Sequence, residues 1–193
     1  MNVLFVGGVH GVGKSTSCET VAARHQCLHV RASDVIRQQK ASAAPVGTKL
    51  VENVDANQCL LLRGFEQVKR TASTGPILLD GHFVLRDLDG AIQRLPTSVF
   101  AGLGLTGLLC FEDDPLSIAT RMNERDQTTV DVDDIASLQA EELRHARDIA
   151  SALALNLKVL HAFDVGGLEA ILTKLRNGGD KAHPPREGDN HAR

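Results

Sequence analysis

The stretch Gly8-Val9-His10-Gly11-Val12-Gly13-Lys14-Ser15 decides the fold of this chain. It fits the pattern G-x-x-x-x-G-K-[ST] of loops that hold a nucleoside triphosphate. Glycines at these positions let successive backbone N–H groups point inward at the phosphates. Lys14 is expected to reach the β- and γ-phosphates and the Ser15 hydroxyl to hold Mg²⁺, so ATP and Mg²⁺ are the predicted cofactors. The predicted nucleotide-binding residues are Gly8, His10, Gly11, Val12, Gly13, Lys14, Ser15 and Thr16.

The residues on either side of this loop predict a strand before it and a helix after it. Val3-Leu4-Phe5-Val6 is a continuous apolar run of the kind found in buried parallel strands. Beyond the loop, Cys18, Val21, Ala22 and His25 recur at the spacing of one helix face. The alternative is an ordinary glycine-rich turn, but the order strand, loop, helix favours nucleotide binding.

Strand-like and helix-like segments alternate along the rest of the chain. Besides Asn2–Gly7, strands are predicted at Leu28–Val30, Ile77–Asp80, Leu108–Phe111 and Val159–Phe163. Helices are predicted at Lys14–His25, Ser33–Gln39, Leu50–Ser73, Leu116–Asn123, Ile135–Leu155 and Leu168–Leu175. This alternation predicts a three-layer α/β fold, with a parallel sheet covered by helices on both faces. From Asn177 to Arg193 almost nothing is apolar, so a disordered tail is expected there.

Composition excludes several classes of protein. With 193 residues and a formal net charge of −3, a single domain without general affinity for nucleic acid or anionic membranes is expected. The chain has no Trp or Tyr, so stacking platforms for single-stranded nucleic acid are scarce. Its four cysteines lack the spacing of a zinc site or a disulfide framework. Since no signal peptide or membrane span is predicted, a cytoplasmic location is expected.

Asp80 ends the apolar run Ile77-Leu78-Leu79 and is followed by Gly81 and His82. In a parallel sheet, ligands bind at the carboxyl ends of the strands. Asp80 is therefore expected to hold Mg²⁺ together with Ser15, the alternative being a turn-forming Asp-Gly pair. For His82 the alternatives are a structural role and a role in binding substrate at the edge of the same site.

Ser33, Asp34 and Arg37 follow the second predicted strand. Ser33 or Asp34 would serve as an N-cap of the next helix. The functional alternative is that these residues bind the substrate, with the planar guanidinium of Arg37 gripping an anionic acceptor. Asp34 could instead accept a proton from a hydroxyl acceptor.

Asn57 and Gln58 interrupt the apolar stripe of the long helix predicted at Leu50–Ser73. Two amides in such a stripe either bond to neighbouring backbone or face a polar cleft that recognises a base or sugar.

Arg121 and Arg125 stand one turn apart at the end of a predicted helix. Phosphoryl transfer needs cations near the transferring group, and a mobile loop can deliver them after the substrates bind. The alternative is a solvated face paired with Glu124 and Asp126. The acidic cluster Asp131–Asp134 is interpreted as a helix cap, with a metal site as the alternative.

In order and spacing, these motifs resemble the P-loop nucleoside monophosphate kinases, above all the adenylate kinases, including the archaeal type. The segment from Ser33 to Arg37 stands where these enzymes bind the monophosphate, and Asp80 to His82 matches an Asp-x-His segment. The resemblance covers residues 1 to about 175. It implies a five-stranded sheet of order 2-3-1-4-5, an acceptor-binding region at about residues 33–73 and a short lid at about residues 125–133. It also implies that Lys14, Asp80, Arg121 and Arg125 carry catalysis.

Three functions follow from these observations. The first is ATP- and Mg²⁺-dependent transfer of the γ-phosphoryl group to a nucleoside monophosphate, with AMP as the first candidate. The second is transfer to a hydroxyl of a small metabolite or a polynucleotide end, with Asp34 as the base. The third is a nucleotide-dependent switch or assembly factor that hydrolyses ATP. The two arginines within the chain favour transfer that needs no partner's arginine.

Overall fold

Seven strands and seven helices make up the described parts of the chain. The computed structural model describes residues 1–42, 54–72, 75–87, 89–127 and 129–179. The strands are β1 (Val3–Gly7), β2 (Leu28–Arg31), β3 (Ile77–Asp80), β4 (Val84–Arg86), β5 (Ile92–Arg94), β6 (Gly107–Glu112) and β7 (Leu157–His161). The helices are α1 (Lys14–Arg24), α2 (Ala32–Ser42), α3 (Val54–Thr71), α4 (Thr97–Leu103), α5 (Pro115–Asp126), α6 (Val132–Ala152) and α7 (Val165–Gly179).

The main sheet has five parallel strands in the order β2-β3-β1-β6-β7. Its central strand β1 pairs with β3 from Val3 opposite Ile77 to Val6 opposite Asp80. The predicted order 2-3-1-4-5 is therefore confirmed, since it differs only in the numbering of the last two strands. The loop that follows β1 consequently lies at the middle of the carboxyl edge, where ligands bind in such sheets.

Side chains of the central strands alternate between two cores because successive residues of a strand point to opposite faces. Phe5 and Leu79 pack on one face with α2, α3 and α4, whereas Val6 and Leu78 pack on the other with α1, α5 and α7. Both faces of the central strands are buried, which explains why their sequences read as continuous apolar runs.

The segment between β3 and β6 holds structure that the sequence analysis did not predict. β4 and β5 form a two-stranded antiparallel hairpin, and α4 follows it. Each hairpin strand has three residues, too few to show a period of two, and α4 has only seven. α4 contributes Val99, Phe100 and Leu103 to the core beside Phe5.

Two predicted boundaries are corrected. The last strand runs from Leu157 to His161, so Phe163 lies beyond it, with a positive φ of 60°. A disordered tail was predicted from Asn177, but α7, which packs through Leu168 and Leu172, continues to Gly179. Residues 180–193 of that tail lie outside the described residues, as do residues 50–53 and Ser73 of the predicted long helix.

The four cysteines are free thiols in different surroundings. Cys18 and Cys110 are buried, Cys27 is half-buried, and Cys59 is exposed on α3. Burial raises the pKa of the Cys110 thiol to about 12. Among the residues that the structure describes, no helix is long and apolar enough to cross a membrane.

Candidate active site

The backbone of the phosphate loop depends on glycine at two places. Gly8 has φ +136°, and a Cβ there would lie 2.7 Å from the carbonyl oxygen of Phe111. Gly13 has φ +93°, and its Cβ would lie 2.8 Å from the ring of Phe163. Other residues rarely adopt these angles and would collide here, so the loop conformation needs the glycines of the motif.

Lys14, Ser15 and Asp80 meet at the carboxyl edge of β1 and β3. The Ser15 hydroxyl donates a hydrogen bond to Oδ2 of Asp80 at 2.5 Å, and Lys14 Nζ lies 3.9 Å from Oδ1. His29 places its Nε2 3.4 Å from the same carboxylate. Lys14 and Asp80 are both buried, at 5% and 6% exposure. The Asp80 carboxylate thus lies within hydrogen-bond distance of the motif's serine.

Burial affects the pKa values of both Lys14 and Asp80. Burial lowers the pKa of Lys14 below its ordinary value, and the charge of Asp80 opposes that shift. For Asp80, burial favours the neutral form, but the hydrogen bond from His29, the charge of Lys14 and the hydrogen bond from Ser15 prevail and lower its pKa. Asp80 is therefore a carboxylate at neutral pH.

Ser15 and Asp80 fit Mg²⁺ as a ligand set. Mg²⁺ prefers oxygen ligands, and it is usually held by one or two protein groups together with phosphates and water. The described residues hold no group of three or more His, Cys, Asp or Glu side chains that could bind a metal by themselves. A hydroxyl and a carboxylate beside a phosphate-binding loop match this mode of binding.

A cavity of about 240 Å³, here called the loop pocket, opens in front of the phosphate loop. It is lined by Val9, His10, Gly11, Gly13, Lys14, Ser15, Thr16, Arg121, Arg125 and Phe163. Most of the predicted nucleotide-binding residues thus lie around one space. Of the others, Val12 packs its side chain into the core, and Gly8 stands outside the lining as the residue that shapes the turn.

Arg121 and Arg125 both reach the loop pocket. Arg121 Nε donates to the carbonyl oxygen of Gly11 at 3.0 Å, and its Nη2 donates to Asp113 at 2.7 Å. Its guanidinium carbon lies 5.2 Å from the ring centroid of Phe163. Arg125 pairs with Asp126 at the exposed end of α5. Arg121 is therefore already docked on the phosphate loop, whereas Arg125 stands at its rim.

A second cavity, of about 320 Å³, shares Lys14 with the loop pocket and is here called the apolar cavity. Its polar and small lining residues are His10, Lys14, Ser15, Arg31, Ala32, Ser33, Asn57, Gln58, Asp80, Gly81 and His82. The remainder of its wall consists of Phe5, Ile36, Leu61, Leu85, Leu95, Val99, Phe100 and Leu103. His10, Lys14 and Ser15 line both cavities.

Four of the six predicted substrate-binding residues line the apolar cavity: Ser33, Asn57, Gln58 and His82. Asp34 and Arg37 do not belong to the lining, and Arg37 Nη2 donates to Asp34 Oδ1 at 2.8 Å on the exposed side of α2. Their roles toward an acceptor stay predictions. The N-cap interpretation is wrong, because α2 begins at Ala32 and both Ser33 and Asp34 fall in its first turn.

Glu142 is the main residue that sequence reasoning missed. It lies on α6 with 1% exposure, and its carboxylate accepts from the Phe83 backbone N–H at 2.7 Å and contacts His82 Nδ1 at 3.0 Å. A signal for it exists: Glu142 falls on the same helix face as Leu138 and Ala146, and a carboxylate in an apolar stripe needs a buried partner.

His10 packs its ring against His82, with the centroids 4.3 Å apart. Although His10 reaches the surface, partial burial of its ring, aided by nearby His82, Lys14 and Arg125, lowers its pKa to about 4. The imidazole is therefore neutral at neutral pH.

Known proteins resemble this chain in sequence and in fold. A family described as an AAA domain matches residues 7–139. Human adenylate kinase isoenzyme 1 is 26% identical over 133 residues, which is 68% of each chain. The enzyme of that name from Sus scrofa is 27% identical over 139 residues, again 68% of each chain. A gluconokinase from Sinorhizobium meliloti 1021 shares the fold, with a TM-score of 0.53 and 18% identity, over 94% of this chain and 98% of that one.

Proposed function

Because the chain belongs to the AAA domain family and is a phosphotransferase of the P-loop kinase type, we propose that it transfers the γ-phosphoryl group of ATP to a small acceptor bound in the apolar cavity. One observation carries this proposal. Lys14 and Ser15 line both the loop pocket and the apolar cavity. A γ-phosphate held by Lys14 would stand at the junction of the two spaces, with the acceptor on its far side.

Each residue has a role in this proposal. The loop amides and Lys14 hold the β- and γ-phosphates, and Arg121 with Arg125 stabilises the charge that develops on the transferring group. Ser15 and Asp80 would hold Mg²⁺, which when bound neutralises charge on the phosphates. Because Lys14 is buried, its attraction to phosphate is weakened less by water than that of a surface lysine.

A nucleoside monophosphate, with AMP first, is one candidate acceptor, supported by the similarity to adenylate kinase isoenzyme 1. A phosphate acceptor is already anionic and needs no base. Asn57 and Gln58 would then contact the base or sugar. The same proposal includes an acceptor-binding region at about residues 33–73, a short lid at about residues 125–133 and a cytoplasmic location.

A small compound with a hydroxyl group is the second candidate acceptor. The observation that favours it is the apolar wall of the cavity. Asp34, the predicted base for such an acceptor, does not belong to the described lining, so this candidate needs another group to receive the hydroxyl.

Replacement of Lys14 tests the proposed function. Lys14→Ala should lower acceptor-dependent ADP formation by about a hundredfold or more, because a buried cation at the transferring group is lost. Lys174→Ala, on the exposed face of α7, serves as the matched control and should keep full activity. ADP release is measured with and without a panel of acceptors. Undiminished transfer by Lys14→Ala would contradict the proposal, and ATP turnover that no acceptor stimulates would favour a switch.

A further inference from the structure

The wall of the apolar cavity suits an uncharged, apolar ligand. Phe5, Leu61, Leu95 and Phe100 line it, and each is at least nine-tenths buried in the fold. At about 320 Å³ the cavity has the size of a small-molecule site. A ligand placed there would exchange water for apolar side chains over much of its surface, which favours apolar ligands.

Permanent positive charge is scarce along the same wall. Among the described lining residues, Lys14 and Arg31 are the only lysine or arginine side chains. Lys14 faces Asp80, and Arg31 pairs with Glu19. A phosphate dianion that leaves water needs cations with free donors to replace its hydration. The described wall therefore suits an uncharged acceptor better than a monophosphate.

Glu142 fixes the orientation of the His82 ring in this wall. Because a carboxylate can only accept, the contact of 3.0 Å requires the proton on His82 Nδ1. Glu142 itself is held by the Phe83 N–H at 2.7 Å and is buried. His82 Nε2 has no hydrogen-bond partner among the described residues, and His82 lines the apolar cavity. With Nδ1 held by Glu142, Nε2 is the ring nitrogen left to hydrogen-bond a ligand hydroxyl, a group that can both donate and accept.

Gln58 is a second polar residue of this wall. Its side-chain Nε2 is buried without a hydrogen-bond partner in the part of the chain that the structure describes, and the residue lines the apolar cavity. Buried donors are nearly always paired. The Gln58 amide would have to turn into the cavity for this N–H to donate to a ligand oxygen.

We propose that the phosphoryl acceptor is an uncharged alcohol with an apolar body and a further oxygen for Gln58, and that Glu142 positions His82 to hydrogen-bond its hydroxyl group. This inference rests on the proposed phosphotransferase function. Glu142 is a positioning residue in it, since it acts through His82.

The transfer forms one bond to phosphorus and breaks another. The hydroxyl oxygen forms a bond to Pγ, and the bond between Pγ and the β,γ-bridging oxygen breaks, its electron pair leaving with ADP. Since the transition state is loose, the hydroxyl proton leaves late and passes to water. The products are a phosphomonoester, ADP and one proton, and His82 is unchanged at the end.

The full chain with ATP and Mg²⁺ tests the inference on two sets of acceptors. One set contains uncharged aryl and alkyl alcohols of graded size, and the other contains AMP. ³¹P NMR distinguishes their products, a phosphomonoester with one ADP per ATP in the first case and two ADP per ATP in the second. We expect a higher kcat/KM for at least one alcohol than for AMP. A higher value for AMP would overturn the inference and leave the proposed function intact. Transfer to neither set would overturn both.

Glu142→Gln tests the positioning role. The amide would still accept from Phe83, but its NH₂ group would face His82 Nδ1 and move the proton to Nε2. We expect kcat toward the alcohol to fall about tenfold to a hundredfold, as on loss of other orienting partners, with KM for ATP unchanged. ¹⁵N NMR of the histidine ring should report the other tautomer. Glu141→Gln, which touches Arg94 and Arg144, is the matched control.

A second variant keeps the test valid if Glu142→Gln does not fold. His82→Ala leaves the bond from Phe83 to Glu142 in place, and it should bind ATP normally while losing alcohol phosphorylation. An unchanged tautomer and unchanged kcat in Glu142→Gln, or full alcohol turnover in His82→Ala, would overturn the positioning role.

Discussion

His10 of the phosphate loop makes the stability of the folded protein depend on pH. Its pKa lies at about 4, below the ordinary value of 6.5, because of burial and the neighbouring His82, Lys14 and Arg125. The folded protein therefore keeps His10 neutral between about pH 6.5 and pH 4, whereas the unfolded chain binds a proton there. The contribution of His10 to the free energy of unfolding therefore falls as the pH is lowered through this window.

The His10→Gln variant should show a shallower loss of stability between pH 6.5 and pH 4. The folded state excludes one proton at His10. The slope of the unfolding free energy against pH should therefore change by an amount equivalent to a fraction of one bound proton. Urea denaturation at a series of pH values measures it. His161→Gln, at an exposed position of β7, should leave the slope nearly unchanged. Equal slopes for wild type and His10→Gln would contradict the assignment.

At the scale of elements, the close packing of α2 on α3 forms one side of the apolar cavity. Gly64 of α3 lies where an added Cβ would meet Val35 Cγ1 at 2.5 Å and Gln39 Cγ at 2.8 Å. Ile36 on α2 and Asn57 on α3 both line the cavity. The separation of these helices therefore sets the width of the site.

Gly64→Ala should lower the free energy of unfolding by about 1–3 kcal/mol, because the methyl group forces two packed helices apart. It should also raise the acceptor KM more than the KM for ATP. Gly102→Ala is the matched control, since its Cβ would meet the flexible end of Leu62 at 2.9 Å, and a smaller loss is expected. Denaturant titration and steady-state kinetics measure both. A larger effect at Gly102 would refute this account of the packing.

Features that follow from local sequence patterns could be predicted, whereas contacts that depend on how distant elements pack could not. The conformation of the phosphate loop was predictable because it depends on residues that are adjacent in sequence. The place of Asp80 beside Ser15, 65 positions away, was predictable because Asp80 ends an apolar run and the carboxyl ends of parallel strands meet at one edge of the sheet. The contact of Glu142 with Phe83 joins residues 59 positions apart and depends on how α6 lies over the hairpin. Arg37 pairs with Asp34 one turn earlier, a local contact that sequence spacing alone does not predict. Its role toward an acceptor stays a prediction.

At the scale of the whole molecule, the sheet brings the site together at one edge. β1 supplies the loop, β3 supplies Asp80, and two cores fix the strands from both faces. Ligands that bind only this folded arrangement must stabilise it.

ATP with Mg²⁺ at about 100 times its Kd should raise the free energy of unfolding by about 2.7 kcal/mol. Removal of the metal with a chelator should abolish much of that gain, because Ser15 and Asp80 would then face the phosphates without a cation between them. Thermal denaturation with and without chelator measures this. Ser15→Ala should show a smaller dependence on Mg²⁺ than wild type. Equal stabilisation by ATP in the presence and absence of Mg²⁺ would contradict the assigned metal site.

Cys59 offers a natural attachment site for a fluorescent label. Cys59 is exposed and directly follows Gln58 on α3, while Cys18 and Cys110 are buried. Burial keeps the Cys110 thiol protonated, with a pKa of about 12, and thiols react as thiolates. A maleimide dye should therefore label Cys59 first in the natural sequence. Its fluorescence would then follow the filling of the neighbouring cavity in real time, without an engineered attachment point.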